Sequence, residues 1–164
     1  MNNLSELRFG TAGIPFTTNP RNTINGISQV KKLGLHAMEL EFVQSVNIRE
    51  EQAPLVKKTS EENNVVLTCH GQYFINLNSL DAKKIDASKQ RIYFAAKRAF
   101  QCGAWSMCFH AAFYQGESKE KTFKQVHDSL KEVVSDLRNE GIEIWVRPET
   151  MGKQTQFGTI EEVI

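Results

Sequence analysis

Two histidines and one glutamate occupy positions from which they could bind a metal ion together. His70 ends the apolar run 65–70, His110 ends the run 104–110, and Glu149 follows the run 142–146 after an Arg-Pro pair. Imidazole nitrogens and carboxylate oxygens are donors that zinc and similar divalent cations take. If the three runs are neighbouring strands, the sequence predicts a metal site made of His70, His110 and Glu149.

The apolar runs alternate with segments of helical period, which predicts a parallel sheet with crossover helices. In such folds ligands bind at the C-terminal ends of the strands, where these three side chains stand. The predicted strands are 7–10, 37–43, 65–70, 104–110 and 142–146, and the predicted helices are 19–33, 51–63, 81–103, 119–140 and one that begins at 160.

Two α/β architectures fit this pattern. A flavodoxin-like sheet would be complete with five strands, whereas a (β/α)₈ TIM barrel has about 250 residues, of which this chain would cover the first five β/α units. We see no linker or low-complexity tract and therefore expect a single domain over residues 1–164. The barrel interpretation implies that the C-terminal units are missing from this sequence.

Composition narrows the classes of function. The net charge of +1 gives no global basic field for nucleic acid, so phosphate binding would need local groups. No apolar run approaches the roughly 20 residues of a membrane helix, and we expect no membrane partner. Three cysteines without CxxC spacing favour a reducing, cytoplasmic location. Cys69 and Cys108 lie in or at the end of apolar runs and are expected to fill the core.

Two further features stand near the predicted site. Glu39 and Glu41 point to the same side of the second strand, so Glu41 is an additional candidate acid: either a base or metal contact, or half of a charge pair with Arg147. The loop after the third strand carries Tyr73 and Phe74, which would either stack on a base or sugar ring or fold over the core.

The sequence resembles the endonuclease IV family (AP endonuclease family 2). Residues 69–77 resemble its H-x-x-Y-x-I-N-L segment, Phe109-His110 its next-strand F-H, and 147–153 its E-x-x-A-G-[QK] segment. The opening, residues 8–15, is similar to the start of archaeal-type members. The resemblance implies a (β/α)₈ barrel of the xylose-isomerase-like superfamily.

The resemblance also implies an activity. It is that of a zinc-dependent deoxyribonuclease, an apurinic-apyrimidinic endonuclease that hydrolyses DNA at abasic sites in base excision repair. Three zinc ions are expected in the full-length family, with His70 and His110 as ligands of one and Glu149 as a catalytic residue that bridges two. Tyr73 and Phe74 would bind the substrate. The expected partner is damaged double-stranded DNA, and the expected state is a monomer.

Two alternatives remain open at this point. The first is a sugar isomerase or epimerase of the same superfamily, which would hold one Mn or Mg ion and use Glu41 or Glu149 on a small sugar. The second is a non-enzymatic binding domain of the flavodoxin type, which would make no use of paired histidines at strand ends.

We predict that the 164-residue chain alone is inactive on abasic DNA and only marginally stable. Three strands of the barrel would be absent, and with them further metal ligands and the partners of two sheet edges. The measurement is cleavage of an abasic-site duplex by the purified, metal-loaded chain; measurable strand scission would contradict the prediction.

Overall fold

The computed structural model describes residues 6–164, which form five strands and five α-helices in strict alternation. The strands are β1 (Gly10–Ala12), β2 (Ala37–Glu41), β3 (Val66–His70), β4 (Ser106–Phe109) and β5 (Trp145–Pro148), and the helices are α1 (Thr23–Lys32), α2 (Ala53–Asn63), α3 (Ala82–Gln101), α4 (Lys119–Asn139) and α5 (Ile160–Val163). Within these residues no helix combines the length and the apolarity needed to cross a bilayer.

The strands form one parallel sheet in the order β1-β2-β3-β4-β5. Each strand pairs with its neighbour in sequence, as Glu41 with His70, and Cys108 with both His70 and Arg147. A flavodoxin-like sheet has the order 2-1-3-4-5, so that alternative is wrong. The sequential order is that of a (β/α)₈ barrel and confirms the predicted fold class, of which the chain forms about the first five units.

The hydrophobic core lies between the sheet and its helices. Alternate strand residues point toward the helices and are buried, among them Leu67 and Cys69 on β3 and Met107 and Phe109 on β4. The helices add Ile92 and small alanines of α3, which let the helix lie close to the sheet. The other strand face, which carries the polar side chains, is half-buried and points toward the barrel interior.

Local hydrogen bonds fix where the helices begin. The side chains of Asn22, Asp81 and Ser118 each accept a hydrogen bond from a backbone N–H of the first turn of α1, α3 and α4. Such caps satisfy donors that a helix leaves unpaired. Helix α2 instead has Pro54 in its first turn, and Asn64, at φ 52°, follows its last residue and caps it in the left-handed conformation.

Two predicted strands were misplaced. The first is Gly10–Ala12 rather than 7–10: the side chains of Leu7 and Phe9 lie in solvent, and the residue-by-residue pairing with β2 begins at Gly10, opposite Ala37. A Cβ at Gly10 would lie 2.1 Å from the Ala37 carbonyl oxygen. The fifth strand begins at Trp145, not at 142, because the Ile142 N–H caps α4 by donating to Leu137 O.

Three other boundaries moved inward. Helix α1 starts after its Asn22 cap and not at Asn19, β2 ends at Glu41 rather than at 43, and β4 covers four residues rather than seven. For the two strands, the apolar pattern runs on into flanking residues that are buried outside the regular strand, as with Phe42 and Ala104.

We predict that F109A lowers the free energy of unfolding by about 3–5 kcal/mol, because Phe109 is fully buried between the sheet and the helices. F16A is the matched control: Phe16 is 97% exposed, and its loss should cost less than about 1 kcal/mol. Chemical denaturation of both variants provides the comparison, and equal midpoints would contradict the core assignment.

Candidate metal centre

The sheet brings the three predicted ligands together at one end. His70 is the last residue of β3, and His110 and Glu149 directly follow β4 and β5. The Nε2 atom of His70 lies 3.1 Å from Glu149 Oε2, and the Nε2 atom of His110 lies 3.2 Å from the same oxygen. All three side chains are half-buried. Both imidazoles thus approach the same carboxylate oxygen.

The protonation of His70 suits a metal ligand. Its Nδ1 lies 2.7 Å from the Gly71 carbonyl oxygen, which can only accept, so Nδ1 carries the hydrogen. In the neutral ring Nε2 then presents a lone pair to the Glu149 carboxylate. Two acceptors 3.1 Å apart need a cation between them, either a second proton on the ring or a metal ion. A carbonyl on the far nitrogen is how metal-binding histidines are usually oriented.

Backbone contacts hold these strand ends in place. The Gly71 N–H donates to Cys108 O at 2.8 Å, and the Glu149 N–H donates to Phe109 O at 2.9 Å, so both neighbouring loops begin by extending the sheet. A Cβ at Gly71 would lie 3.1 Å from Phe109 Cβ, which explains the glycine after His70. The Glu149 loop closes at Gly158, whose φ of 133° and close approach to Glu149 O exclude a side chain.

A cysteine that the sequence interpretation assigned to the core faces this site. Donor atoms of His70, Cys108 and Glu149 all lie within 4.8 Å of one another, in a group that does not include His110. Cys108 pairs laterally with His70 and stands two residues before His110, on the same face of β4. The two-residue spacing between Cys108 and His110 was the sequence signal that would have placed Cys108 at this site. Cys69, in contrast, is buried on the helix side as expected.

Burial raises the pKa of the Cys108 thiol to about 12, and the nearby Glu39 carboxylate contributes in the same direction. The thiol Sγ is 3.7 Å from Glu39 Oε2 and can donate to it. Without a bound cation Cys108 is therefore a protonated thiol.

The acid pair of β2 lines the interior beside His70. Thr68 Oγ1 donates to Glu39 Oε2 at 3.5 Å. The pKa of Glu41 is raised by burial and by repulsion from Glu39, with His70 opposing the shift. The expected charge pair with Arg147 is wrong: within residues 6–164 no ion pair joins it to either glutamate, because its guanidinium lies 4.1 Å from the Trp105 ring centroid.

In the loop after β3, some side chains fold over the core and others remain exposed, so each of the two interpretations holds for part of the loop. Ile75 and Leu77 are buried under the loop, while Tyr73 and Phe74 are 50% and 58% exposed. The Tyr73 ring stacks on His110 with centroids 5.6 Å apart and meets His70 edge-on at 5.4 Å. Tyr73 therefore packs on both imidazoles, and Phe74 is the next residue of the same loop, with most of its side chain exposed. Their role in substrate binding stays a prediction.

Two asparagines connect this loop to the one after β4. The buried Asn78 donates through Nδ2 to Phe113 O at 3.0 Å and to Thr122 Oγ1 at 3.2 Å. Asn76 accepts from the Phe113 N–H at 3.3 Å and donates to Gln115 at 3.2 Å. The loops that carry Tyr73 and follow His110 are thus fastened to each other.

A cleft of about 650 Å³ opens next to His70. Its lining includes the polar side chains of Glu39, Glu41, Tyr73, Arg21 and Asn47. Gly13, at φ 80°, lets the Glu41 side chain lie against the backbone, where a Cβ would be 3.0 Å from Glu41 Cγ. The cleft is large enough for a small polar ligand beside the three converging donors.

We predict that E41Q is more stable than the wild type when both are free of metal, and that this advantage is larger at neutral pH than at acid pH. Below the usual carboxyl pKa both folded and unfolded chains hold the proton, so Glu41 costs nothing. As pH rises from the usual carboxyl pKa through the raised pKa of folded Glu41, the unfolded chain ionises first and the wild type loses stability; Gln does not ionise, so E41Q keeps its stability over this range. Denaturation midpoints across this range measure the difference.

The control for this experiment is E61Q, which removes one negative charge from the exposed surface of α2. An E41Q advantage that does not grow with pH, or that E61Q reproduces, would contradict the buried-acid interpretation.

Comparison with known proteins agrees with this architecture. The chain is 35% identical over all 164 residues to the uncharacterized protein MJ0133 of Methanocaldococcus jannaschii and spans 58% of its length. Solved structures with the same fold include the D-psicose 3-epimerase of Clostridium cellulolyticum (TM-score 0.71, 17% identity, 87% of this chain and 52% of that one). Another is endonuclease IV of Thermus thermophilus (TM-score 0.69, 12% identity, 92% and 55%).

These structural likenesses establish the fold, and they include proteins that act on sugars and on DNA. The chain spans little more than half the length of each relative. The family assignment comes from the sequence itself, which matches one family pattern over residues 27–164. The chain therefore belongs to the xylose isomerase-like TIM barrel family.

Proposed function

We propose that the protein, as a complete barrel, is a metal-dependent phosphodiester hydrolase that acts on abasic sites in DNA. Its metal ligands are His70, His110 and Glu149, and zinc is the proposed metal. The observation that supports this most is the approach of both Nε2 atoms to one Glu149 oxygen, at 3.1 and 3.2 Å. This donor set, with His70 held in the ligand tautomer, fits a divalent cation.

Divalent cations bound here would polarise the phosphodiester and supply an activated water as nucleophile. The chain itself orients that chemistry. The Gly71 carbonyl fixes the His70 ring, and the Glu149 carboxylate stands between the two imidazoles, where it can contact more than one ion. Glu149 is thus the proposed catalytic residue.

We propose that the exposed aromatic side chains beside the site contact a nucleic acid with one base missing. Tyr73 rests on both imidazoles and leaves half of its surface free, and Phe74 projects beside it. An exposed aromatic side chain can enter a base step from which stacking has been lost, and such a wedge lowers the cost of opening the duplex there. Tyr73 and Phe74 are therefore the proposed substrate contacts, and damaged double-stranded DNA is the proposed partner.

A second candidate function rests on the acid pair. Glu39 and Glu41 place two carboxyl groups in the cleft beside His70, and burial raises the pKa of Glu41, as it does for carboxyl groups that act as acids or bases. Carboxylates repel a phosphate backbone but accept hydrogen bonds from sugar hydroxyls. A sugar isomerase or epimerase that holds Mn or Mg is therefore the alternative.

We predict that zinc purifies with the full-length protein and is lost in the H70A/H110A variant. Cleavage of an abasic duplex should fall by at least about 100-fold, because removal of the imidazoles leaves Glu149 without its partners. Elemental analysis and gel-based cleavage measure the two effects. H127A is the matched control, since His127 lies exposed on α4 and pairs with Asp128.

The same preparation distinguishes the alternative. Incubation with D-tagatose or D-fructose and NMR analysis of the product would detect epimerisation. Sugar conversion without DNA cleavage would replace the nuclease proposal with the sugar enzyme, and metal content unchanged in H70A/H110A would contradict both.

A further inference from the structure

We infer that Cys108 is a metal donor of this site, together with His70 and Glu149. The bound cation would then have one sulfur, one nitrogen and one oxygen ligand from three neighbouring strands. This inference rests on the proposed binding of a metal at His70 and Glu149, and it adds a donor that the two-histidine set does not contain.

The strand register places the sulfur at the site. Cys108 lies directly across from His70 in the β3–β4 pairing, and both side chains are on the interior face. The three donor atoms are within 4.8 Å of one another. Around a single zinc ion, with bonds of about 2.3 Å to sulfur and about 2.0–2.2 Å to nitrogen and oxygen, donors stand roughly 3.5 Å apart. Side-chain rotations that move the donor atoms by about 1 Å close that gap.

The surroundings of Cys108 differ from those of a core cysteine. Cys69 and Cys102 are fully buried, and Cys69 belongs to the apolar cluster behind the sheet. Cys108 is half-buried, its Sγ lies 3.7 Å from Glu39 Oε2, and donor atoms of His70 and Glu149 lie within 4.8 Å of it. It is thus the cysteine of the chain whose sulfur lies beside both an imidazole and carboxylates of the proposed site.

The structure also offers a path for the proton that binding must release. Binding breaks the S–H bond and forms a sulfur–metal bond, so that one proton leaves. Glu39 Oε2, which accepts the thiol hydrogen bond, is the first acceptor. From Glu39 the proton passes to solvent through the open cleft. The exchange of hydrogen for metal on sulfur changes no oxidation state, so no oxidant or reductant is involved.

A sulfur donor has consequences for metal choice. Thiolate ligands favour zinc and cobalt over magnesium and manganese. Three protein donors leave the fourth tetrahedral position for water or a phosphate oxygen, as in catalytic zinc sites. His110 keeps its place in the proposed site, because its Nε2 lies 3.2 Å from the same Glu149 oxygen that faces His70.

The experiment is cobalt substitution of the full-length protein, observed by absorption spectroscopy. We expect the wild type to show a thiolate-to-cobalt charge-transfer band in the near ultraviolet. C108S should lose this band and bind cobalt about 10–100-fold more weakly. The control C102A removes a buried cysteine of the same chain and should retain the band.

X-ray absorption at the zinc edge of the wild type gives a second test that does not depend on a variant. A sulfur shell at about 2.3 Å is expected, and a shell of nitrogen and oxygen alone would overturn the Cys108 assignment. If cobalt binds through nitrogen and oxygen and H70A/H110A abolishes binding, the proposed function stands and this inference fails. Absence of metal binding in the wild type overturns both.

Discussion

The candidate site depends on one electrostatic constraint, the convergence of two imidazole nitrogens on a single carboxylate oxygen. Because the Gly71 carbonyl fixes the hydrogen of His70 on Nδ1, the Nε2 lone pair and the Glu149 oxygen face each other at 3.1 Å. This arrangement is unfavourable unless positive charge lies between the two atoms. The strand ends hold the three side chains within reach of one another, so a proton on the His70 ring or a bound cation satisfies both atoms at once.

The parallel sheet explains why the two imidazoles and the carboxylate lie so close together. Parallel strands in sequential order put every strand end at one edge, and alternation sends one residue in two toward the interior. Glu41, His70 and Cys108 occupy one lateral row of that face, and His110 and Glu149 stand one level above. The helices bury the opposite face, which fixes the register and with it the site.

Much of this was predictable from sequence. The strand-end positions of His70, His110 and Glu149 were enough to predict that they lie together, because the carboxyl ends of neighbouring parallel strands meet at one edge of the sheet. Cys108 was missed because an apolar run conceals which of its members face inward. The contact of Arg147 with tryptophan rings rather than glutamates was equally hidden, since a guanidinium binds carboxylates and aromatic faces alike and only the register selects between them.

The paired asparagines impose a condition on how the site can respond. Asn76 and Asn78 fasten the loop of Tyr73 to the loop that follows His110, so the two segments share a common set of hydrogen bonds. A ligand that reorders one segment must reorder the other or break those bonds. If a ligand at the aromatic mouth reorders one loop, the shared hydrogen bonds carry that change to the loop after His110, and any resulting coupling to cation binding is reciprocal.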